Sequence, residues 1–491
     1  MTVEATSEGT STQPRTRRPL DLAVAACLIG IAAFELFELH LHIEWAGLAA
    51  AVLLVAFLVL GQGRLGLRER YLLALAAAAT LAAVAWSPSP LQLIQRGLGQ
   101  ATFLAAFMLL LSLLRDGAIT SPSVLALGQY LTRRPPGQRY IAIHFGGHAL
   151  GVVLNFGALS LLGPLIQRGV ETDAKDNPEL AQWRLRRQMS ALARGFSWII
   201  AWSPTAVTQA LVASVVAGSK PLLVGAIGIV AAAGVFVIGW AADRVTGKQA
   251  RASLSRSDAL PRPDLGAKPF PWAAFGRFAL VCGALAAISV VLILFTGARV
   301  IPALMLASPI VTAVWVWFQF HATPDGAAAV LARLKDIASV SIPAGSPEAV
   351  TLSSAGYIGI VAAGLVNPPA LAEWTGIAGV APVAAYIGVM TLVPLLSNLA
   401  IPPMLTVTFL GSLYSALPGS QLEPTLLAAS MALGWALNLT ASPFGATALI
   451  LSRITGIPGT TLSWKWNTGF TLAAWAWAGA VLFAASSLSA Q

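Results

Sequence analysis

The sequence predicts an all-α polytopic membrane protein with about 11 transmembrane helices plus two re-entrant hairpins, arranged as an inverted-topology repeat. Three observations carry that expectation. Hydrophobic residues make up 57% of the chain and charged residues only 10%, whereas a soluble domain carries roughly 25% charged residues to solvate its surface. The apolar stretches run roughly 17–25 residues without strict alternation, the length of a spanning helix and not of a barrel strand. Two further apolar stretches are interrupted near their middles by Asn, Gly and Pro. Lipid offers the backbone no hydrogen-bond partners, so spanning segments must satisfy their own amides, and helices do this locally.

Taken in order, residues 1–19 are polar and rich in Ser, Thr and Arg, and read as a disordered cytoplasmic tail. No small-residue cleavage site follows the first apolar run, so that run is a retained helix and not a signal peptide. Apolar runs lie near 20–40, 45–61, 71–87, 98–114, 195–217, 220–242, 272–297, 300–320, 350–366, 425–452 and 467–488, with the interrupted regions at 140–167 and 381–417. Residues 170–194 are amphipathic and charged, and 325–346 read as a surface helix followed by a loop. A Pro- and Arg-containing linker, 244–271, divides an N-terminal half, 20–243 with an extra first helix, from a C-terminal half, 272–491.

The net charge of +10 is explained by topology. Lys and Arg collect in the cytoplasmic loops of a membrane protein. With the N-terminus inside and both interrupted regions returning to their own face, Arg64, Arg68, Arg70, Arg133, Arg134, Arg139, Arg168, Lys175, Arg194, the linker, Arg333, Lys335, Arg453 and Lys465 are cytoplasmic. Only Arg96, Lys220 and Arg299 fall outside. Full crossings by both regions would destroy the asymmetry. This excludes nucleic acid as the partner and places the chain in a bacterial-type cytoplasmic (inner) membrane, with the bilayer and a small-molecule solute as its partners.

The functional candidates repeat. Asn155 lies in Leu154-Asn155-Phe156-Gly157, and a later span reads Ser203-Pro204-Thr205-Ala206-Val207-Thr208. In the second half Ser397-Asn398-Leu399 is followed by Ser442-Pro443-Phe444-Gly445-Ala446-Thr447. Ser203 follows Asn155 by 48 residues and Ser442 follows Asn398 by 44. Proline inside a helix removes a hydrogen bond and blocks the preceding turn, and at membrane depth the freed carbonyls need other partners. Such carbonyls, with Ser and Thr hydroxyls, suit a cation. The free N–H groups of a half-helix suit an anion, and an Asn side chain can serve either. The substrate- and ion-binding set is therefore Asn155, Gly157, Ser203, Pro204, Thr205, Thr208, Ser397, Asn398, Ser442, Pro443, Gly445 and Thr447. The bland alternative is an ordinary kink and a turn-capping Asn, which explains one copy more readily than a matched pair.

This arrangement resembles the divalent anion/sodium symporter family of the wider ion transporter superfamily, over residues of about 45–488, in architecture more than in residues. That family has 11 spans, two oppositely facing hairpins with Ser-Asn-Thr tips, and broken fifth and tenth spans. Ser397-Asn398 matches two positions of the second tip, with Leu399 in place of Thr; the first tip keeps only Asn155, between Leu154 and Phe156. The resemblance implies secondary active transport of a small carboxylate-like anion coupled to Na⁺ or H⁺, no cofactor beyond Na⁺ as coupling ion, a homodimer, and an elevator-like motion of the hairpin domains.

Other candidates carry plainer readings. His144 and His148, four apart, suit proton coupling or packing, and no nearby carboxylate or cysteine completes a metal site. Glu35, Glu38 and Glu44, with His40 and His42, read as a solvated rim at the outer end of the first span. Arg115–Asp116 and Asp243–Arg244 read as structural pairs at span ends. Cys27 and Cys282 lie in apolar runs and form no disulfide framework. Most of the 15 Trp residues sit at span ends, as in interfacial belts, and Trp198 and Trp202 flank the first break. No phosphate-binding loop exists for ATP-driven transport. An efflux antiporter of the arsenite or Na⁺/H⁺ type shares the broad architecture. A membrane-embedded enzyme would need a convergent nucleophile, base or metal-ligand set, and none is found, so no catalytic residue is expected.

Overall fold

The structure is a computed structural model that describes residues 19–173, 177–254, 269–367, 369–370, 373, 380–415 and 422–489. The expected tail, Lys175, the linker from 255 to 268 and Trp374 lie outside these residues. Every regular element described is helical, and ten helices are long and apolar enough to cross a membrane. The fold is that of a multi-pass α-helical membrane protein.

The helices are α1 (Pro19–Leu41), α2 (Glu44–Leu60), α3 (Leu67–Trp86), α4 (Pro90–Ile119), α5 (Pro122–Thr132), α6 (Pro136–Leu154), α7 (Gly157–Asp173), α8 (Pro178–Ser197), α9 (Val207–Val215) and α10 (Pro221–Leu254) in the first half. The second half contributes α11 (Trp272–Thr296), α12 (Val300–Phe320), α13 (Gly326–Asp336), α14 (Ser346–Leu365), α15 (Pro382–Asn398), α16 (Pro403–Ser415), α17 (Pro424–Ala441), α18 (Ala446–Thr455) and α19 (Thr468–Ser489). Proline opens many of them, where its missing N–H costs nothing.

Three expectations change. The predicted loop after the 325 helix is instead a π-helical turn, Ile337–Ser341, running into a further helical turn. The linker begins later than 244, because α10 continues to Leu254. The first broken span is absent from the ten long helices, because α8 starts in charged sequence and its apolar end is interrupted after Ser197.

Helices α1–α4 and α11–α14 pack together, with α4 held against both α12 and α14. Gly97, Gly356 and Gly364 let the α4–α14 contact close, each meeting a side chain of the facing helix. The remaining helices follow one contact scheme twice. The first arm of each helical hairpin, α6 or α15, lies along the proximal part of the broken helix in its own half, α8 or α17. The second arm, α7 or α16, lies against the distal part of the broken helix in the other half, α18 or α9.

Candidate functional site

Both Ser-Pro segments interrupt their helices, and they do so in the same way. The first leaves α8 through a 3₁₀ turn, Trp198–Ala201, and resumes as α9. The second leaves α17 at Ser442 and resumes as α18. In each, the serine N–H still reaches back four residues, Ser203 to the Ile199 carbonyl at 2.8 Å and Ser442 to the Asn438 carbonyl at 3.0 Å. In each, the residue three beyond the serine closes a turn on its carbonyl, Ala206 at 2.9 Å and Gly445 at 3.1 Å. Both distal helices then start from extended backbone, at Ala206 and Gly445. Gly445 sits tightly: a Cβ there would stand 3.1 Å from the Ser442 carbonyl oxygen and 3.3 Å from that of Asn438, so the backbone would have to give by a few tenths of an ångström.

A hydroxyl ties each break to the hairpin of its own half. Thr205 donates to the Val152 carbonyl at 2.6 Å, three residues before the first tip, and lies 2.8 Å from the Ser203 hydroxyl. Ser442 donates to the Ser397 carbonyl at 2.9 Å, beside Asn398 in the second tip. Ser203, Thr205, Thr208, Ser397, Ser442 and Thr447 are all buried.

The tips turn by two routes. Asn155 closes α6 with φ +50° and ψ −131°, a region that asparagine and glycine tolerate best. Its carbonyl then accepts the first bond of α7, from Ala158. The second tip is a Schellman motif: Ile401 N–H reaches the Leu396 carbonyl at 3.2 Å and Ala400 N–H the Ser397 carbonyl at 3.1 Å. Ala400, at φ +64°, occupies the position where glycine is usual. The Asn398 amide donates to the Pro394 carbonyl at 2.8 Å, and its oxygen accepts from Trp464 at 3.0 Å.

The structure gathers part of the predicted set around one cavity and leaves the rest elsewhere. Asn155, Phe156 and Thr205 line a space of about 40 Å³ against α4 and α14, which contribute Arg115 and Glu348. These two charges stand 3.5 Å apart, and Arg115 is also 3.9 Å from Asp116. The Arg115 side chain crosses Gly157, where a Cβ would meet its Cγ at 3.0 Å. Asn398 lies apart from this cavity, against Trp464. Thr208 is buried on α9, and Thr447 lines a different and smaller cavity.

The histidine pair is a fastener between hairpin and break. Trp202 donates to His148 Nε2 at 2.9 Å, so that nitrogen is the acceptor and Nδ1 carries the proton donated to the Gly195 carbonyl at 2.8 Å. Both nitrogens are thereby used. His144 is buried between the Tyr140 and His148 rings. Among the described residues no group of three His, Cys, Asp or Glu side chains is placed to hold a metal.

Several residues escaped the sequence reading. Gln209 donates to the Ala201 and Ile200 carbonyls at 2.8 and 3.3 Å, taking up acceptors that the first break leaves free; its place just after the break is the signal. Asn438, one turn before Ser442 in an apolar run, is fully buried, and neither amide atom has a partner among the described residues. Glu35 departs from the solvated rim, since it is buried in the α1 core face, whereas Glu38 and Glu44 are exposed. Asp243 pairs with Arg187, whose Nε donates at 2.7 Å, and Arg244 lies instead over the Trp240 ring.

No family model matches the chain, and no curated relative matches it. Among solved structures, it resembles the YdaH transporter of Alcanivorax borkumensis at 15% identity and a TM-score of 0.48, over 79% of this chain and 85% of that one. It also resembles MtrF of Neisseria gonorrhoeae, described as one of a class of antimetabolite efflux pumps, at 13% identity and a TM-score of 0.49, over 84% and 94% of the two chains.

Proposed function

We propose that this chain is a secondary active transporter of the divalent anion/sodium symporter type, moving a small carboxylate-like anion across the cytoplasmic membrane with Na⁺ or H⁺. The observation that carries the reading is the duplicated stitch between break and tip, Thr205 to Val152 and Ser442 to Ser397. A helix interrupted at depth exposes carbonyls that attract a cation and N–H groups that attract an anion. Here each interruption is bonded to a hairpin, so a hairpin cannot move without reshaping the ends of the broken helix. Neutral oxygens of Asn155 and Thr205 suit a coupling cation, and the Arg115 guanidinium in the same cavity suits the solute's carboxylate. The doubled contact scheme supports an inverted repeat with the hairpins entering from opposite faces. A homodimer with mobile hairpin domains completes the proposal.

The test is reconstitution. Protein in liposomes is expected to accumulate labelled succinate only under an imposed Na⁺ or proton gradient, and Asn155→Ala or Asn398→Ala to abolish uptake while leaving a monodisperse, folded protein. Normal uptake by both variants would remove the site. Substrate turnover in detergent without any gradient would point to an enzyme.

A further inference from the structure

We infer that a second polar site, between the two halves of the chain, takes a single small monatomic anion of the halide type. The cavity lies where α8 of the first half meets α17, α18 and the π-helical turn Thr461–Lys465 of the second. Its polar wall consists of Ser190, Thr440, Thr447, Ser463 and Asn467, and its volume is about 10 Å³, room for one water-sized guest.

Two of its hydroxyls point to a guest. Ser190 and Thr447 are 5% and 1% exposed, and the hydroxyl of neither has a hydrogen-bond partner among the described residues. Buried hydroxyls are ordinarily paired, and here two unpaired ones line a single cavity.

The sign of the guest follows from its surroundings. Thr447 lies in the first turn of α18, where free N–H groups and the helix dipole favour negative charge. Asn467, on the cavity wall, accepts from Arg194 Nε at 2.9 Å. Arg194 is only 8% exposed, and the Trp466 carbonyl at 3.4 Å, the Phe470 ring at 4.5 Å and the Tyr140 hydroxyl beside it are neutral. The carboxylate in this neighbourhood, Asp243, is engaged by Arg187 through two bonds. Between Pro424 and Ser489 the sequence contains no Asp or Glu, while Arg453 and Lys465 add positive charge. Arg187 and Arg194 share the Asp243 carboxylate, so the surroundings keep an excess of positive charge, which disfavours a cation one side chain away and favours an anion. A water molecule would satisfy the hydroxyls and leave that charge uncompensated. The inference is independent of the transport reading, because binding can be measured without transport.

Purified full-length protein in sodium gluconate is titrated with sodium chloride or bromide at constant sodium and ionic strength, and its thermal unfolding is followed. A saturable, halide-dependent rise in the midpoint is expected. Thr447→Val, which keeps the side-chain shape, and Ser190→Ala should each weaken the apparent affinity about tenfold, and a bromide-soaked crystal should show anomalous density in the cavity. Equal stability in gluconate and halide would mean a water only and overturn the inference. So would a halide shift unchanged in both variants, or a shift that follows sodium against N-methylglucamine and is lost in Thr447→Val.

Discussion

Ala400 and Asn155 hold the two hairpin tips in backbone conformations that an ordinary side chain resists, and they differ in what can be done about it. At Ala400 the left-handed φ of +64° serves only the Schellman turn. Ala400→Gly should therefore stabilise the protein by about 1 kcal/mol, read as a higher unfolding midpoint in detergent; a lower one would mean that the turn is held by something else. Asn155 combines backbone strain with a place on the cavity wall. Gly195 is constrained by proximity. A Cβ there would stand 2.2 Å from the His144 carbonyl oxygen, so Gly195→Ala must push α6 from α8. It should cost about 1–3 kcal/mol and lose the His148 bond to that residue's carbonyl; an unchanged melting curve would contradict the packing.

At the scale of the element, proline alone does not explain the breaks. Pro164, Pro309 and Pro394 sit inside α7, α12 and α15, and those helices continue. At Pro204 and Pro443 the helix stops because a preceding serine and a following turn give the freed backbone a defined alternative. The first break has an additional brace in Gln209. Gln209→Leu would leave the Ala201 carbonyl without its 2.8 Å donor, a loss of about 1–3 kcal/mol for a buried acceptor. Denaturation of the variant in detergent measures this, and a stability equal to the parent would show the carbonyl to be satisfied otherwise.

At the scale of the whole molecule, the exchange of partners between halves joins them. α9 meets α16, and α7 meets α18. A Cβ built on Gly411 would lie 3.1 Å from the Val215 Cβ, slightly inside the roughly 3.5–4.5 Å of a disulfide. Val215→Cys with Gly411→Cys, in a background lacking Cys27 and Cys282, should cross-link rapidly under mild oxidant, giving a loop detectable by gel mobility after cleavage in the 255–268 segment. Failure to cross-link would mean that the two helices do not adjoin in the membrane.

Much of this was legible in the linear chain, for a physical reason. Burial in lipid demands long apolar runs, so the helices from α1 to α4 and from α11 to α12 could be placed from hydropathy within a few residues, apart from the longer α4. The breaks were legible because Ser-Pro followed four residues after the proline by Thr recurs in both halves. What it did not contain was who meets whom. Arg115 looked like half of a local pair, yet folding sets it against Glu348, 233 positions away, across Gly157. His144 and His148 suited either packing or proton coupling, and only the fold shows a tryptophan 54 residues on taking the free nitrogen of His148. Asn155 and Asn398 looked like equals, and only the first faces the cavity with Thr205. Sequence alone determined that the chain is helical, spans a membrane and interrupts two of its helices, because those properties follow from local composition and spacing. The tertiary structure decided which polar groups meet, because a hydrogen bond depends on distances between segments that local spacing does not set.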